Sequence, residues 1–118
     1  MHPKARYVFT ASLDVDPAKE DLFNELYDSE HVPFLLAVPG VLAVTRVRAE
    51  PAAAMRIDGQ TKALVAEGEP KYSAIYELAS AEVLLSDAWA KAVDQGRWPQ
   101  EIRPYILARR HTLKKIIR

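Results

Sequence analysis

Hydrophobic and polar positions alternate with a period of two in four stretches of the chain, at about residues 5–15, 41–49, 71–78 and 105–117. This is the period of a β-strand, whose successive side chains point to opposite faces of a sheet. Both sides of the first and third stretches carry apolar residues. We therefore predict four strands, two of which are apolar on both faces.

The first stretch of helical spacing follows the first strand. Asp16 supplies an N-cap acceptor, Pro17 suits the first helical position, and apolar residues then recur at helical intervals. Val32 precedes a proline, and a residue in that position is disfavoured in the helical region. We therefore predict a helix over about residues 17–30 that stops or kinks near His31.

A second helix is predicted between the third and fourth strands. Ser80 is suited to be its N-cap, its apolar stripe runs to about Asp94, and Ser86-Asp87 marks a possible division into two pieces. The order of elements is then β-α-β-β-α-β, the ferredoxin-like plan. We predict an α+β fold in one domain, residues 1–118, with two helices on one face of a four-stranded antiparallel sheet.

The segment at about residues 50–69 is irregular and interrupts this plan. Within it, Asp58-Gly59 lies between residues 55–57 and 62–65, a pattern that favours a small projecting hairpin with a type I′ turn. A mobile lid and an ordered surface flap both remain open as interpretations.

The face of the sheet that the two helices leave bare needs a partner, because its central strands carry apolar residues on that side too. A second copy of the same sheet is the simplest partner. We predict a homodimer whose sheets pack face to face and enclose cavities between sheet and helices.

Composition narrows the class of protein. At 118 residues and 49% hydrophobic, the chain is long enough for one core. Sixteen basic and sixteen acidic residues cancel, which argues against nucleic acid or an anionic membrane as partner, although residues 14–30 are acidic and residues 101–118 are basic. The chain has no cysteine, which excludes disulfides and thiolate zinc sites. Without a basic-then-apolar leader or a long apolar run, we expect a cytoplasmic location.

Several motifs together resemble one known family. They are Tyr27-Asp28-x-Glu30-His31-x-Pro33, then Pro39-Gly40-Val41 opening the second strand, then Lys71-Tyr72-x-Ala74-x-Tyr76-Glu77-Leu78, and finally Trp98 with Arg103-Pro104 before a long last strand. In these positions the chain resembles the EthD-like branch of the dimeric α/β-barrel superfamily. The resemblance covers nearly the whole chain apart from about residues 50–69.

The resemblance implies a ferredoxin-like dimer with a small, mostly apolar pocket in each subunit. The superfamily includes cofactor-free quinone-forming monooxygenases, muconolactone isomerases, polyketide cyclases and haem-degrading enzymes, together with many proteins of unknown role. Because one fold hosts all of these reactions, the choice of reaction is an analogy.

His31 is the leading candidate for chemistry. Tyr27 precedes it by four residues and Asp28 by three, so both side chains are expected on its helix face, and an Asp28 hydrogen bond would fix the imidazole tautomer. The helix C-terminus favours the imidazolium and a pKa near or above physiological pH, which suits a general acid. The alternative is a histidine that ends the helix and bonds a backbone carbonyl.

Arg46 and the aromatic residues are the candidates for ligand binding. Arg46 shares a strand face with apolar neighbours and is suited to hold an enolate, carboxylate or phenolate oxygen, although surface ion pairing is its common role. The tyrosines offer rings and hydroxyls, and a tryptophan in the predicted loop 96–99 is suited to form a wall or cover of a pocket, unless these residues only fill the core. The candidate binding residues are Tyr7, Tyr27, Tyr72, Tyr76 and Trp98.

Other kinds of site find little support in the sequence. His111 lies among basic residues and is expected on a solvated strand or tail. The histidines have no paired spacing, so no metal site is predicted. Glycine-rich phosphate loops, nucleophile elbows and zinc helices are absent from the sequence.

Three functional hypotheses follow. The first is an enzyme that needs no cofactor and acts on a small apolar or aromatic carbonyl or phenolic compound, with His31 moving a proton and Arg46 or a tyrosine holding the oxyanion. The second is a non-catalytic small-molecule-binding or accessory protein with the same pocket. The third is a haem-handling protein, which requires an imidazole facing a flat, porphyrin-sized cavity.

Overall fold

A computed structural model gives the fold and describes residues 1–64 and 67–118. The strands are β1 (Tyr7–Val15), β2 (Val41–Arg48), β3 (Ala54–Ile57), β4 (Gln60–Ala63), β5 (Tyr72–Leu78) and β6 (Ile106–Lys115). The α-helices are α1 (Glu20–Leu26), α2 (Val32–Leu36), α3 (Asp87–Val93) and α4 (Trp98–Glu101). Short 3-10 segments lie at Pro17–Lys19, Ala81–Leu85 and Arg103–Tyr105, and a π-turn lies at Tyr27–His31.

Four of the strands form one antiparallel sheet in the order β2-β5-β1-β6. The two central strands are therefore the first and third of the predicted four, and β6 is an edge strand. The register places Phe9 opposite Tyr76 on one side and Leu113 on the other. The predicted α+β, ferredoxin-like plan is confirmed, with the helices on one face of the sheet.

The sequence predicted that the first helical segment stops or kinks near His31, and the structure does not have the stop. The chain stays helical to Leu36, and a π-turn replaces the expected stop: the Val32 amide donates to the Tyr27 carbonyl, five residues back. Proline cannot donate a helical hydrogen bond, and its ring crowds the carbonyl four residues earlier. The wider π-turn relieves that conflict, so Pro33 lies at the start of α2 without breaking the segment.

Of the other local helix signals, Asp16 and Ser86 behave as predicted, and Ser80 does not form the expected side-chain cap. The Asp16 side chain accepts a hydrogen bond from the Ala18 amide at 2.9 Å and so caps the first helical segment. The second helical segment divides at Ser86, whose hydroxyl accepts from the Trp89 amide at 3.1 Å and caps α3. Ser80 precedes the 3-10 piece without a side-chain cap.

The irregular insert contains the predicted hairpin. β3 pairs with β4 across Asp58-Gly59, whose φ values of 52° and 69° are those of a type I′ turn. All eight strand residues are exposed, so the hairpin projects from the body of the fold. The prediction extended its second arm to Val65, which lies outside the described residues.

The glycine of the Pro39-Gly40 pair before β2 has a structural reason. Its φ is 92°, and a Cβ placed there would overlap the Cγ2 atom of Val83. A residue with a side chain would therefore be both strained and crowded, so the chain needs glycine to bring the helical layer close to the sheet.

The core lies between the helices and one face of the sheet. The strand residues on that face include Ala11, Leu13, Ala74 and Tyr76, which pack against Phe23 and other helix residues in one cluster. The described helices all pack on this side, and the opposite face carries alternate residues such as Thr10, Ser12 and Ile75. Across the described part of the chain, no helix has the length and apolarity needed to cross a lipid bilayer.

Candidate functional site

A cavity of about 440 Å³ opens between the helical layer and the β1–β6 side of the sheet. This volume lies in the range of small-molecule pockets. Its lining is mostly aromatic and aliphatic, with four cationic or titratable nitrogen side chains. The lining residues are Phe9, Ala11, Leu13, Tyr27, His31, Leu35, Tyr76, Trp89, Val93, Trp98, Arg103, Ile106, Arg109 and His111.

His31 lies in the cavity wall and is 7% exposed. Its ring is stacked on Trp98, with centroids 4.2 Å apart and an angle of 11° between the planes, and meets the Tyr27 ring edge-on at 5.2 Å. Its Nδ1 is buried and has no hydrogen-bond partner in residues 1–64 and 67–118. This leaves Nε2 as the nitrogen available to a molecule in the cavity.

The protonation state of His31 differs from the one that the sequence predicted. Burial, and secondarily the positive charge of Arg103, lower the pKa of His31 from 6.5 to about 4. The expectation of a raised pKa depended on a helix C-terminus, but the helical segment continues past His31 to Leu36. At neutral pH the imidazole is therefore uncharged and is suited to accept a proton or a hydrogen bond, rather than to act as a general acid.

Asp28 does not orient His31, which corrects the expected hydrogen bond. The π-turn changes the rotation between them, so the three-residue spacing no longer places both side chains on one face. Instead the Asp28 carboxylate accepts a hydrogen bond from Arg46 at 2.8 Å, and its side chain is 67% exposed. The Trp98 stack, rather than a carboxylate, sets the orientation of the imidazole.

Arg46 faces the helices as predicted, but its guanidinium is already bonded there. It donates to Asn24 Oδ1 at 2.7 Å and to Asp28, and lies 4.5 Å from the centre of the Tyr27 ring. The described lining of the cavity does not include Arg46, which borders a separate shallow groove with Tyr72. Arg46 was predicted to hold the oxyanion of the molecule on which His31 acts. The structure instead places Arg46 outside the cavity that His31 lines.

The four candidate tyrosines divide into two pairs. Tyr27 and Tyr76 line the cavity, and their hydroxyls lie 3.3 Å apart. Burial raises the pKa of both, so both remain protonated phenols. The other two tyrosines are not among the described lining residues of the cavity. The Tyr72 hydroxyl donates to Glu20 at 2.6 Å, and Tyr7 packs against the edge of the core.

The tryptophans form much of the aromatic wall. Trp98 is 4% exposed and begins α4 instead of lying in a loop, because Pro99 follows it at a favourable first-turn position. Trp89 meets Phe9 edge-on, with ring centroids 5.7 Å apart. Neither Trp89 nor Phe9 was selected as a site candidate, although Phe9 lies two residues before Ala11 and therefore on the same face of β1.

Two residues on β6 that line the cavity, Arg109 and His111, were not selected as site candidates. Arg109 and His111 lie on β6 opposite Leu13 and Ala11, and this register aims them at the helix-covered face. His111 is exposed on β6, as expected for a solvated strand, but it also contacts Phe9, with ring centroids 5.5 Å apart, and lines the cavity. Alternation along β6 contained the signal, but only the pairing with β1 tells which of the two alternating sets faces the cavity.

No group of three or more His, Cys, Asp or Glu side chains in residues 1–64 and 67–118 is arranged to hold a metal ion. The described residues of the cavity instead combine two imidazoles, two phenol hydroxyls, two guanidinium groups and a broad aromatic surface. This arrangement fits a small aromatic molecule that carries one or more oxygen atoms.

Comparison with known proteins identifies the fold. No protein-family model matches the sequence, and no curated protein matches it. Among solved structures, the chain is similar to that of the haem degrader MhuD from Mycobacterium tuberculosis with two haems bound in its active site, with a TM-score of 0.59 and 15% identity over 95% of this chain and 96% of that chain. At this identity the likeness shows the fold alone, which is ferredoxin-like; the dimeric α/β barrel and the EthD-like branch stay predictions.

Proposed function

We propose that this chain binds a small aromatic or apolar carbonyl or phenolic compound in the cavity and that His31 accepts a proton from it. The observation that carries the proposal is the uncharged imidazole of His31 in the wall of an aromatic cavity of about 440 Å³. Isomerisation, cyclisation, dehydration and oxygen insertion are all compatible with such a proton transfer. The proposal belongs to the class of activity that the EthD-like resemblance implies.

The low pKa of His31 sets a condition on this chemistry. Holding a proton at pH 7 on a group whose pKa is about 4 costs about 4 kcal/mol. The oxyanion or carbanion formed on the ligand is a counter-charge that lowers this cost, because two opposite charges attract strongly in a cavity with little water. The hydroxyls of Tyr27 and Tyr76 lie in the same wall and are donors for that oxyanion.

Deuterium exchange tests the proton transfer without knowledge of the natural substrate. The protein is incubated with 2-tetralone, an aromatic ketone with acidic C–H groups, in D₂O, and deuterium incorporation is followed by NMR. We expect acceleration over buffer that falls by roughly a hundredfold in His31→Gln, the lower end of what a general base contributes. His2→Gln, which changes a histidine outside the cavity lining, is the matched control.

Two outcomes would contradict the proposal that His31 acts as a catalytic proton acceptor. Equal exchange rates in the parent and in His31→Gln would remove the proton-accepting role. Binding of 2-tetralone, measured by calorimetry, without any accelerated exchange would show a binding protein, the alternative that the unpartnered Nδ1 favours because no carboxylate fixes the tautomer.

Haem is the second candidate ligand, since an uncharged imidazole with a nitrogen toward the cavity is a suitable iron ligand. The donor set fits: His31 would hold the iron, and Arg103 or Arg109 would pair with the propionates. Bound haem would supply redox chemistry at its iron. Titration with haemin tests this; the Soret band should shift in the parent and not in His31→Ala, and no shift in the parent would eliminate the candidate.

We also propose that two copies pack sheet to sheet through the uncovered face. Its central positions, such as Thr10 and Ile75, are only partly exposed even in the single chain. Sedimentation at micromolar concentration should give twice the chain mass of 13.2 kDa. Ile75→Lys should give the single mass, whereas Leu85→Lys, a change at a residue 87% exposed on the helical side, should stay dimeric. A monomeric parent would overturn the proposal.

A further inference from the structure

The mouth of the cavity at β6 has an excess of positive charge. Its two charged residues are Arg109, which is exposed on the edge strand, and Arg103, which lies in the segment before β6. Among the described residues, no aspartate or glutamate belongs to the lining. A cavity whose charged lining residues are all cationic attracts an anion and repels a cation.

The two arginines of the lining differ in what they already bind. The Arg103 guanidinium donates to Asp94 Oδ1 and to the Val93 carbonyl oxygen, both at 2.8 Å. Arg109 has no hydrogen bond or ion pair with any residue in 1–64 or 67–118. Its neighbour Arg110, which points to the opposite face, is paired with Glu69. Among the described residues of the cavity lining, Arg109 is therefore the positively charged residue whose guanidinium N–H groups have no partner and can bind a ligand.

We propose that the ligand of this cavity is an aromatic acid, whose ring enters the space between Phe9, Trp89 and Trp98 and whose carboxylate pairs with Arg109 at the mouth. This inference rests on the proposed small-molecule function and specifies its substrate class. A guanidinium presents parallel N–H donors that match the two oxygens of a carboxylate.

His111 completes the subsite beside Arg109. Burial, and secondarily the charge of Arg109, lower the pKa of His111, so its imidazole is uncharged at neutral pH. An uncharged imidazole adds one N–H donor to the carboxylate without a second positive charge. The acid group at the mouth and the proton acceptor His31 in the wall then act on different parts of one molecule.

The test compares two probes with the same ring, 2-naphthoate and the neutral 2-naphthylmethanol, by calorimetry. The parent should bind 2-naphthoate more tightly. Arg109→Gln should weaken 2-naphthoate binding by about tenfold or more, because a hydrogen-bonded ion pair is lost, and should change 2-naphthylmethanol binding by less than about twofold. Arg110→Gln removes the same charge one residue away on the other face and should leave both affinities within about twofold.

Two other results would contradict the proposals, and they differ in which proposal they overturn. If the parent binds both probes equally, or if Arg109→Gln and Arg110→Gln weaken 2-naphthoate equally, the aromatic-acid inference is wrong while the small-molecule cavity stands. If the parent binds neither probe, the proposed function itself fails, and this inference fails with it. Circular dichroism of both variants checks that the fold is retained, as expected for exposed side chains.

Discussion

The two ends of the helix-covered face use the same residue type in opposite ways. At the β2 end, Arg46 rises from an edge strand and finds Asn24 and Asp28 on the helical segment above it. At the β6 end, Arg109 rises from the other edge strand and lines the cavity with Trp89 and Val93, while the nearby acceptors of the helical layer, Asp94 and the Val93 carbonyl oxygen, are bonded to Arg103. The first end is filled by a polar network, and the second remains an open cavity.

This difference shows that the position of an arginine on a strand does not decide its role. What decides is whether the layer above supplies a free acceptor, because an arginine with bonded partners and stacked aromatic neighbours has few donors left for a ligand. Arg46 lies within 6 Å of three aromatic ring centres, those of Phe23, Tyr27 and Tyr72. The β2 end therefore contributes to stability, and the β6 end is available for function.

The largest expected effect concerns the β6 end and the pH dependence of stability. The pKa of His31 is 6.5 when unfolded and about 4 when folded, so the unfolded chain binds more protons between these values. The stability that the uncharged ring contributes is complete above pH 6.5 and is lost as the pH falls toward 4, by up to about 3 kcal/mol. His31→Phe keeps an aromatic ring against Trp98 and removes this loss.

Urea unfolding of the parent and His31→Phe at pH 7.5 and pH 4.5, at one protein concentration, measures the difference. The other titrating groups contribute nearly equally to both proteins, so the double difference isolates His31. Equal losses of stability in the two proteins would mean that His31 is not held uncharged by burial in the cavity wall.

The next effect concerns the β2 end. Arg46→Ala removes the stacking on Tyr27 and leaves Asn24 and Asp28 without their common donor, so we expect a loss of about 2 kcal/mol in the free energy of unfolding. Arg48→Ala, an exposed residue on the same strand and the same face, is the control and should cost less than about 0.5 kcal/mol.

If the two variants are equally stable, the polar network at the β2 end contributes nothing beyond a surface arginine, and the contrast between the two ends disappears. Binding of 2-naphthoate is a second measurement of the difference between the two ends. Arg46→Ala should bind 2-naphthoate as tightly as the parent, since Arg46 lies outside the described cavity lining.

A smaller effect separates the two arginines within the β6 end. Arg103→Gln removes hydrogen bonds to Asp94 and the Val93 carbonyl and should cost about 1 kcal/mol, whereas Arg109→Gln should cost less than about 0.5 kcal/mol. The pKa of His31 should also rise in Arg103→Gln, because the charge that helps to lower it is gone. NMR titration of the imidazole measures this rise; an unchanged pKa would leave burial as the sole cause.

The fold was predictable from the sequence because local signals and the two-residue period agree. The strands, the Asp16 cap, the Ser86 division and the Asp58-Gly59 turn each depend on nearby residues. Of the stop or kink expected near His31, the stop was wrong because the rule for proline assumes an α-helix, whereas the chain uses a π-turn to pass Pro33.

The site was predictable only in part, because the sequence does not show the register in which β6 pairs with β1. His31, Tyr27, Tyr76 and Trp98 were selected and line the cavity, because the histidine of the 27–33 motif and the aromatic residues are visible in the sequence. Arg109 and His111 were not, since their place depends on which β1 residue each one faces. Asp28 and Arg46 were misplaced relative to His31 because their pairing depends on the rotation of the π-turn, which spacing alone does not give.

The smallest effect tests the boundary between the two ends, where the hydroxyls of Tyr27 and Tyr76 lie 3.3 Å apart in a buried site. Tyr27→Phe leaves the Tyr76 hydroxyl without that partner and should cost about 1 kcal/mol of stability, because a buried polar group that loses its hydrogen bond keeps its desolvation cost. The double variant Tyr27→Phe with Tyr76→Phe removes both groups and should cost no more than the single one. Additive losses, measured by urea unfolding, would show instead that each hydroxyl has its own partner, such as water in the cavity, and that the cavity reaches further toward Arg46 than its lining indicates.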